Sequence, residues 1–351
     1  MVDDGSPHGR RTRTPLVPGG RVVRAAQLRR PGEIVIADVP EPVPGPDDVR
    51  IAVGGVGLCG SDLSVFRGRW TAPEYPWIQG HEAFGIVEAV GERVPTDRIG
   101  EVVVVEPNIA CSDCPQCARG LTSSCARRQS VGMNRAGALA EKLVVPSANA
   151  WAAAGPQETD LVCVEPLAVV EAAIRRLGDP LPASALVIGV GSQGLLMTLS
   201  LIARGVSVLA HDVNPRRTAF AESLGARALS LNDAPALVDL VVDTVGMPAS
   251  VDVALRHVTI GGTVLVLSLD ATPFEISAQT LVRRQLVIRG SLTYDHPDDF
   301  LTTVARVRAG TAAPGRVITD QYPLIEAQRA FEASGSAAGK TWIRVAGSTL
   351  L

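Results

Sequence analysis

The sequence predicts an α/β chain of two domains, one an antiparallel, barrel-like β unit and the other a doubly wound parallel sheet. Three observations carry this expectation. The 351 residues exceed what a single hydrophobic core usually holds. Residues 21–56 alternate apolar and polar side chains between Pro/Gly-rich turns, the pattern of short antiparallel strands. Residues 185–196 read as a Val/Ile strand, a Gly-x-Gly-x-x-Gly turn and a helix. Strand-like runs at 206–211, 237–243 and 263–268 follow, separated by helical segments, as in a sheet built from βαβ units.

Composition narrows the function. Charged residues make up 20% of the chain and the formal charge is -3, with no block of like charge, so neither a nucleic-acid nor a membrane partner is expected. Arg10, Arg11 and Arg13 form only a small basic cluster in a Pro/Gly-rich leader. Residues 1–21 lack the apolar stretch of a secretory signal; they read as a disordered extension, and the compartment as the cytoplasm. Residues 183–203 carry no charge and are about as long as a bilayer span of ~20 residues. Gly189, Gly191 and Gly194 interrupt that run, which makes it a buried strand, turn and helix.

In the first unit, Cys59 lies in the run Gly57, Leu58, Cys59, Gly60, Ser61, Asp62, and His81 follows about twenty residues later. An isolated cysteine is usually a small buried hydrophobe, and a lone histidine usually a satisfied core or surface residue. His81, however, stands in a frame of Gly80, Glu82, Gly85, Gly91 and Val94. A thiolate and a neutral imidazole suit zinc, and a catalytic zinc keeps one position open for water or substrate. Residues 66–77 gather Phe66, Arg67, Arg69, Trp70, Tyr75 and Trp77 in a chain with only 4% aromatics. The cluster reads equally as a local core or as the wall of a substrate pocket.

The six cysteines are Cys59, Cys111, Cys114, Cys117, Cys125 and Cys163, and their tight spacing favours metal binding over disulfides. Cys111, Cys114 and Cys117 are spaced by two residues, and Cys125 follows after seven more. An iron–sulfur run more typically has three residues before its last cysteine and a proline after it, whereas Ala126 follows here. Four thiolates close a tetrahedral zinc and leave no place for substrate, so this site is expected to fold a loop and do no chemistry. Cys163 is expected to be a packed residue.

In the second unit, Gly189, Gly191, Ser192, Gln193 and Gly194 form the turn that lets a pyrophosphate approach a helix N-terminus. Asp212 ends the next strand about twenty residues later. A carboxylate there accepts both ribose hydroxyls and repels a 2′-phosphate, which favours NAD over NADP, although Arg216 and Arg217 act in the opposite sense.

On the frame around His81, the Cys59 run, the cysteine quartet and the glycine-rich turn, the chain resembles the zinc-containing alcohol dehydrogenases of the medium-chain dehydrogenase/reductase family. The resemblance covers about residues 22–347. It implies a GroES-like β-barrel catalytic domain of residues 22–166 and 296–351 and a Rossmann NAD-binding domain of residues 167–295. It also implies two zinc ions per chain, the structural one on Cys111, Cys114, Cys117 and Cys125. Cys59 and His81 become catalytic-zinc ligands, Ser61 the start of a proton relay, and Asp62 a carboxylate that orients the ligands.

Glu165, in Glu165, Pro166, Leu167, stands where the polyol, sugar and cyclitol branch places Glu-Pro-Leu and the alcohol dehydrogenases a cysteine. It is implied as a direct or water-bridged zinc ligand, with Glu82 its rival for the position. Ser64 departs from the histidine that many polyol and threonine dehydrogenases carry there. Arg217, Asp243 and Gly246 join the implied cofactor contacts, and Ser64, Trp70 and Tyr294 the substrate pocket, with Thr293 beside Tyr294 toward the cleft.

The implied function is hydride transfer between a secondary alcohol of a polyol, sugar or (amino)cyclitol and NAD, by a homodimer or homotetramer. Arg67, Gly68 and Trp70, with Tyr75 and Pro76, resemble the deoxy-scyllo-inosamine dehydrogenases of aminoglycoside formation. Threonine-type amino alcohol oxidation is the enzymatic alternative. A non-catalytic NAD- and zinc-binding protein on the same scaffold is the alternative of another class, and the complete metal and nucleotide motifs weigh against it.

Overall fold

The computed structural model describes residues 20–231 and 234–345, so residues 1–19 of the expected extension and residues 346–351 lie outside the described residues. Strands Val22–Arg30 and Glu33–Pro40 pair antiparallel across a tight turn, where Gly32 takes φ +81°. Trp77–Ile78 adds to the free edge of Val22–Arg30. In a second sheet Asp48–Gly57 is the hub, pairing antiparallel with Glu82–Val90, Lys142–Pro146 and Lys340–Arg344. Val102–Val105 and Ala150–Ala152 extend it on one side, and Ile318–Pro323 runs parallel to Lys340–Arg344 on the other. The C-terminal strands therefore return to the sheet begun at residue 48. Alternate residues of these strands, among them Leu28, Ile51, Val53, Val87 and Val145, fill one buried cluster with Phe331.

The parallel sheet has the order Arg227–Ala228, Ser207–His211, Ser184–Ile188, Val238–Asp243, Val258–Val266, Val287–Gly290. From Ser184–Ile188 the chain first builds outward on one side and then crosses to Val238–Asp243 on the other. The crevice between these two strands is where such sheets bind ligands. Ala185 and Val187 pack in the cluster that holds Leu195 and Leu196, while Leu186 and Ile188 pack with Val253 and Ala254 on the opposite face. Both faces are covered, which is why these strands are apolar throughout rather than alternating.

The uncharged run at 183–203 divides into the strand Ser184–Ile188 and the helix Ser192–Ile202. No helix among the described residues is long and apolar enough to cross a membrane. The last strand of the parallel sheet ends at Gly290. Beyond it Tyr294 leaves the sheet to pack edge-on against Phe300, ring centroids 5.2 Å apart. Glu165 falls in the first turn of the helix Val164–Leu177. Pro166 is tolerated there because a first-turn N–H has no partner within the helix.

The fully buried Glu106 accepts hydrogen bonds from Trp151 Nε1 at 2.8 Å and His296 Nδ1 at 2.9 Å. The Glu106 hydrogen bond raises His296 above its ordinary value near 6.5; burial opposes the rise, and the charges of Glu106 and Asp298 add to it. A histidine raised on folding contributes stability that is full below its unfolded value and lost as pH rises through the folded one. The melting temperature is therefore expected to fall more steeply above pH 6.5 in the native chain than in His296→Gln. Identical slopes in a thermal-shift series would exclude this contribution.

Candidate metal centre and nucleotide cleft

The metal group is assembled by one carboxylate. Asp62 lies in the short helix Gly60–Phe66, fully buried, and accepts the Cys59 N–H at 3.0 Å and the Gly80 N–H at 3.2 Å. One of its oxygens also lies 3.6 Å from His81 Nδ1. Burial opposes its ionisation, but His81 and the two N–H donors outweigh burial and hold the carboxyl below its usual value. Asp62 thus ties the Cys59 segment to the His81 segment. Gly80 makes the approach feasible: its φ is +93°, and a Cβ there would meet Val56 and Leu139 side-chain atoms at 2.8 and 2.9 Å.

Cys59 Sγ, a His81 ring nitrogen and a Glu82 carboxylate oxygen all lie within 4.8 Å of one another. Sulfur, nitrogen and oxygen donors so close together are a set that zinc accepts. Cys59 and His81 open onto a cavity of about 670 Å³, which Ser61, Ser64, Trp70 and Glu165 also wall. The two rival carboxylates are therefore placed differently. Glu82 belongs to the close group and is ion-paired with Lys340, both side chains being almost wholly buried. Glu165 faces the cavity and is outside the close group. Burial pushes the Glu165 carboxyl up to about 7; the His81 and Lys340 charges oppose the rise, and that of Glu82 adds to it.

Cys111, Cys114, Cys117 and Cys125 form the second group, also with all donors within 4.8 Å. Their sulfurs are 3.4 Å apart for Cys111 and Cys125, 3.5 Å for Cys114 and Cys117, and 4.0 Å for Cys111 and Cys117. A tetrahedral zinc with bonds near 2.3 Å requires sulfur separations of about 3.8 Å, so the quartet fits that ion. The backbone N–H of Cys117 and neighbouring donors draw the Cys114 thiol down to about 6, against burial. Cys163 belongs to neither group; it is wholly buried, and burial pushes its thiol up.

At the glycine-rich turn, a Cβ on Gly194 would stand 2.0 Å from the Gly189 carbonyl oxygen, so only glycine lets the helix Ser192–Ile202 pack this closely. Gly191, Ser192 and Arg217 wall a cavity of about 290 Å³, and Gln193 reaches the larger cavity. Asp212 follows directly on the neighbouring strand Ser207–His211 and accepts the N–H groups of Val190 at 3.0 Å and Asn214 at 2.8 Å. Arg217 is 3.9 Å from Asp212 and donates to the carbonyls of Ala337 and Gly335.

If Asp212 repels a 2′-phosphate, Asp212→Ser should raise the NADP-to-NAD ratio of kcat/KM. Removing about 1 kcal/mol of repulsion corresponds to roughly fivefold. A ratio that does not move would remove Asp212 from that role.

Two residues expected at the ligands stand elsewhere. Asp243 is wholly buried, and its carboxylate is taken by the N–H groups of Val245 and Gly246 and by the Ser250 hydroxyl, so it shapes the turn instead of reaching a cofactor. Gly246, at φ +71°, is the bend of that turn. Tyr294 is only 2% exposed, and its hydroxyl takes a hydrogen bond from Asn108 Nδ2 at 3.0 Å. It therefore stands behind the cavity wall, which Thr293 and Leu292 form. The aromatic segment divides too: Trp70 walls the cavity, whereas Phe66 packs on Phe331 with ring centroids 5.2 Å apart.

Three residues of the site carry no local signal in the sequence. Lys340 Nζ bridges Glu82, the Leu58 carbonyl at 3.3 Å and the Ser192 hydroxyl at 3.2 Å, joining the metal group to the nucleotide turn. Asn108 and Arg128 wall the larger cavity. Their positions depend on pairings between distant segments; a buried lysine in an apolar strand after Gly339 was the nearest available clue.

The family of the alcohol dehydrogenase GroES-like domain matches residues 45–155, and the family described as zinc-binding dehydrogenase matches residues 193–309. The chain is similar to the D-altritol 5-dehydrogenase of Agrobacterium fabrum, with 31% identity over 87% of this chain and 94% of that protein. It is similar to the L-threonine 3-dehydrogenase of Bacillus subtilis, with 29% identity over 85% of this chain and 91% of that protein. Among solved structures, galactitol-1-phosphate dehydrogenase from Escherichia coli superposes with a TM-score of 0.84 at 25% identity, over 92% of this chain and 100% of its own.

Proposed function

Because the chain belongs to the zinc-dependent alcohol dehydrogenases of the medium-chain dehydrogenase/reductase family, we propose that it moves a hydride between a secondary alcohol of a polyol, sugar or cyclitol and NAD. Membership makes it an oxidoreductase that uses zinc and NAD(P) on an alcohol. The choice of alcohol, the preference for NAD and the residue roles are our reading. One observation carries it: a single cavity is walled by Cys59 and His81 on one side and by Gln193, Val245, Leu292 and Thr293 on the other, so an alcohol and a nicotinamide meet in one space.

Zinc held by Cys59, His81 and a carboxylate supplies a Lewis acid that eases release of the alcohol proton. Asp62 fixes the two ligand segments, and Ser61 on the cavity wall hands the proton outward. Glu82 is the carboxylate nearest the ligand pair, and Glu165 faces the substrate. The four-cysteine zinc is structural. Residues 22–166 and 296–351 serve as the catalytic domain and residues 167–295 as the nucleotide domain. The outer edge of strand Val287–Gly290 has no partner strand among the described residues. Pairing there with a second copy would satisfy its free backbone groups, which supports a homodimer or homotetramer; we place the protein in the cytoplasm.

The narrower reading, an aminocyclitol of aminoglycoside-type biosynthesis, rests on the resemblance at residues 67–77. Similarity to a threonine dehydrogenase supports the amino alcohol alternative. Zinc-loaded protein with NAD should be assayed on polyols, sugar acids, cyclitols, aminocyclitols and L-threonine. Oxidation of a polyol-type alcohol that a zinc chelator suppresses is expected. Oxidation of threonine alone would move the substrate to amino alcohols, and no oxidation of any alcohol would leave a binding protein.

A further inference from the structure

The substrate cavity carries a charge that hydride transfer does not use. Apart from Cys59 and His81, its ionisable wall residues are Arg69, Arg128, Glu165 and Asp270. Glu165 faces the metal group, with the Tyr294 hydroxyl in hydrogen-bond reach. Asp270 is held below the usual carboxylate range, first by hydrogen bonds from Thr272 and then by the charge of Arg69, which stands beyond ion-pair distance. Arg128 has no carboxylate at ion-pair distance among the described residues.

Its guanidinium is nevertheless held in place. Arg128 Nη1 donates to the Ser123 carbonyl at 2.5 Å, and its backbone N–H donates to the Cys125 carbonyl at 3.2 Å. The Asn134 amide donates to the Arg128 carbonyl at 3.2 Å. Arg128 is thus mounted on the chain leaving the cysteine quartet, half-buried, with Nε and Nη2 lacking a protein acceptor among the described residues. The wall beside it is polar, with Asn108, Ser130 and Thr293. A positioned guanidinium with unused donors and no counter-charge is suited to a carboxylate or phosphate, which it can bind with two parallel hydrogen bonds.

We propose that the alcohol substrate bears an anionic group, carboxylate or phosphate, which pairs with Arg128 while its hydroxyl stands at Cys59 and His81. This rests on the reading that the cavity binds the alcohol. A cavity of about 670 Å³ is large enough for a sugar-sized chain of this kind beside the nicotinamide. A neutral polyol leaves the guanidinium to water. The ammonium of an aminocyclitol meets a like charge, so the proposal selects acidic members of the substrate class over amino ones.

The test compares zinc-loaded wild type, Arg128→Ala and Arg128→Lys on a neutral hexitol, the matching aldonate, the matching hexitol phosphate, an aminocyclitol and L-threonine. Binding of each to the NADH complex is measured in parallel by calorimetry. Wild type is expected to favour the aldonate or the phosphate over the neutral hexitol by roughly 10- to 100-fold in kcat/KM, the range of one charge-assisted hydrogen bond. Whichever acid leads identifies the group. Arg128→Ala should lose that advantage through KM, with a far larger loss on the acidic substrate than on the hexitol, and regain part of it as Arg128→Lys. Equal handling of neutral and acidic substrates by wild type would overturn the proposal, as would preference for the aminocyclitol or an equal loss on all substrates in Arg128→Ala. If no alcohol is oxidised, the reading of the site as a dehydrogenase falls instead, and calorimetry still decides whether Arg128 holds the anion.

Discussion

Replacing His81 with alanine is expected to lower kcat/KM for alcohol oxidation by at least about 10³-fold while leaving NADH binding intact. The Lewis acid contributes several kcal/mol to such a reaction, and each 1.36 kcal/mol is a factor of ten. His81 supplies the only imidazole in the close group with Cys59 and Glu82. Without it the zinc loses a neutral donor that Asp62 has oriented, and two donors from the chain hold the ion poorly. The nucleotide turn at residues 189–194 belongs to the other sheet, and among the described residues no hydrogen bond or ion pair joins it to His81, whose partner is Asp62, so coenzyme affinity serves as the internal control. Steady-state kinetics with a fluorescence titration of NADH check both halves. Undiminished turnover would sink the zinc mechanism.

The second large effect is on stability. Cys114→Ser should lower the melting temperature by on the order of 10 °C, with a far smaller change in kcat. Isolated zinc domains draw roughly 10 kcal/mol from their metal. Here a lobe with few buried apolar residues depends on the same four sulfurs, and only part of that energy is felt by the rest of the chain, so a loss of a few kcal/mol is expected. Cys114 begins the short helix Pro115–Ala118, and Cys125 anchors Arg128 through its carbonyl. Loosening the lobe should therefore raise KM before it touches the chemical step. Thermal melts with zinc analysis test this, and an unchanged melting temperature would count against a structural zinc.

Some of this architecture is legible in the sequence because it is local. The four cysteines lie in one short segment, and the glycine-rich turn has its strand and helix immediately beside it, so spacing alone encodes the geometry. Cys59 and His81 are further apart, but Asp62 and Gly80 next to them determine how the segments meet. The placement of Glu82 against Glu165 was not legible: it depends on how the strand Glu82–Val90 and the helix Val164–Leu177 sit around one cavity. Lys340 was hidden for the same reason, since a buried lysine is tenable only beside its carboxylate, and Glu82 lies more than 250 positions away. Asp243 misled in the opposite way. Its place in the chain pointed to a ligand, while its carboxylate is consumed by the N–H groups two and three residues on, a turn motif that aspartate forms without any cofactor.

The most direct test of the central claim is anomalous scattering at the zinc edge from crystals of active protein. Two peaks per chain are expected, one about 2.3 Å from Cys59 Sγ and about 2.0 Å from a His81 ring nitrogen, the other amid the four cysteine sulfurs. Active crystals with zinc at the cysteine quartet and no peak beside Cys59 and His81 would contradict the account.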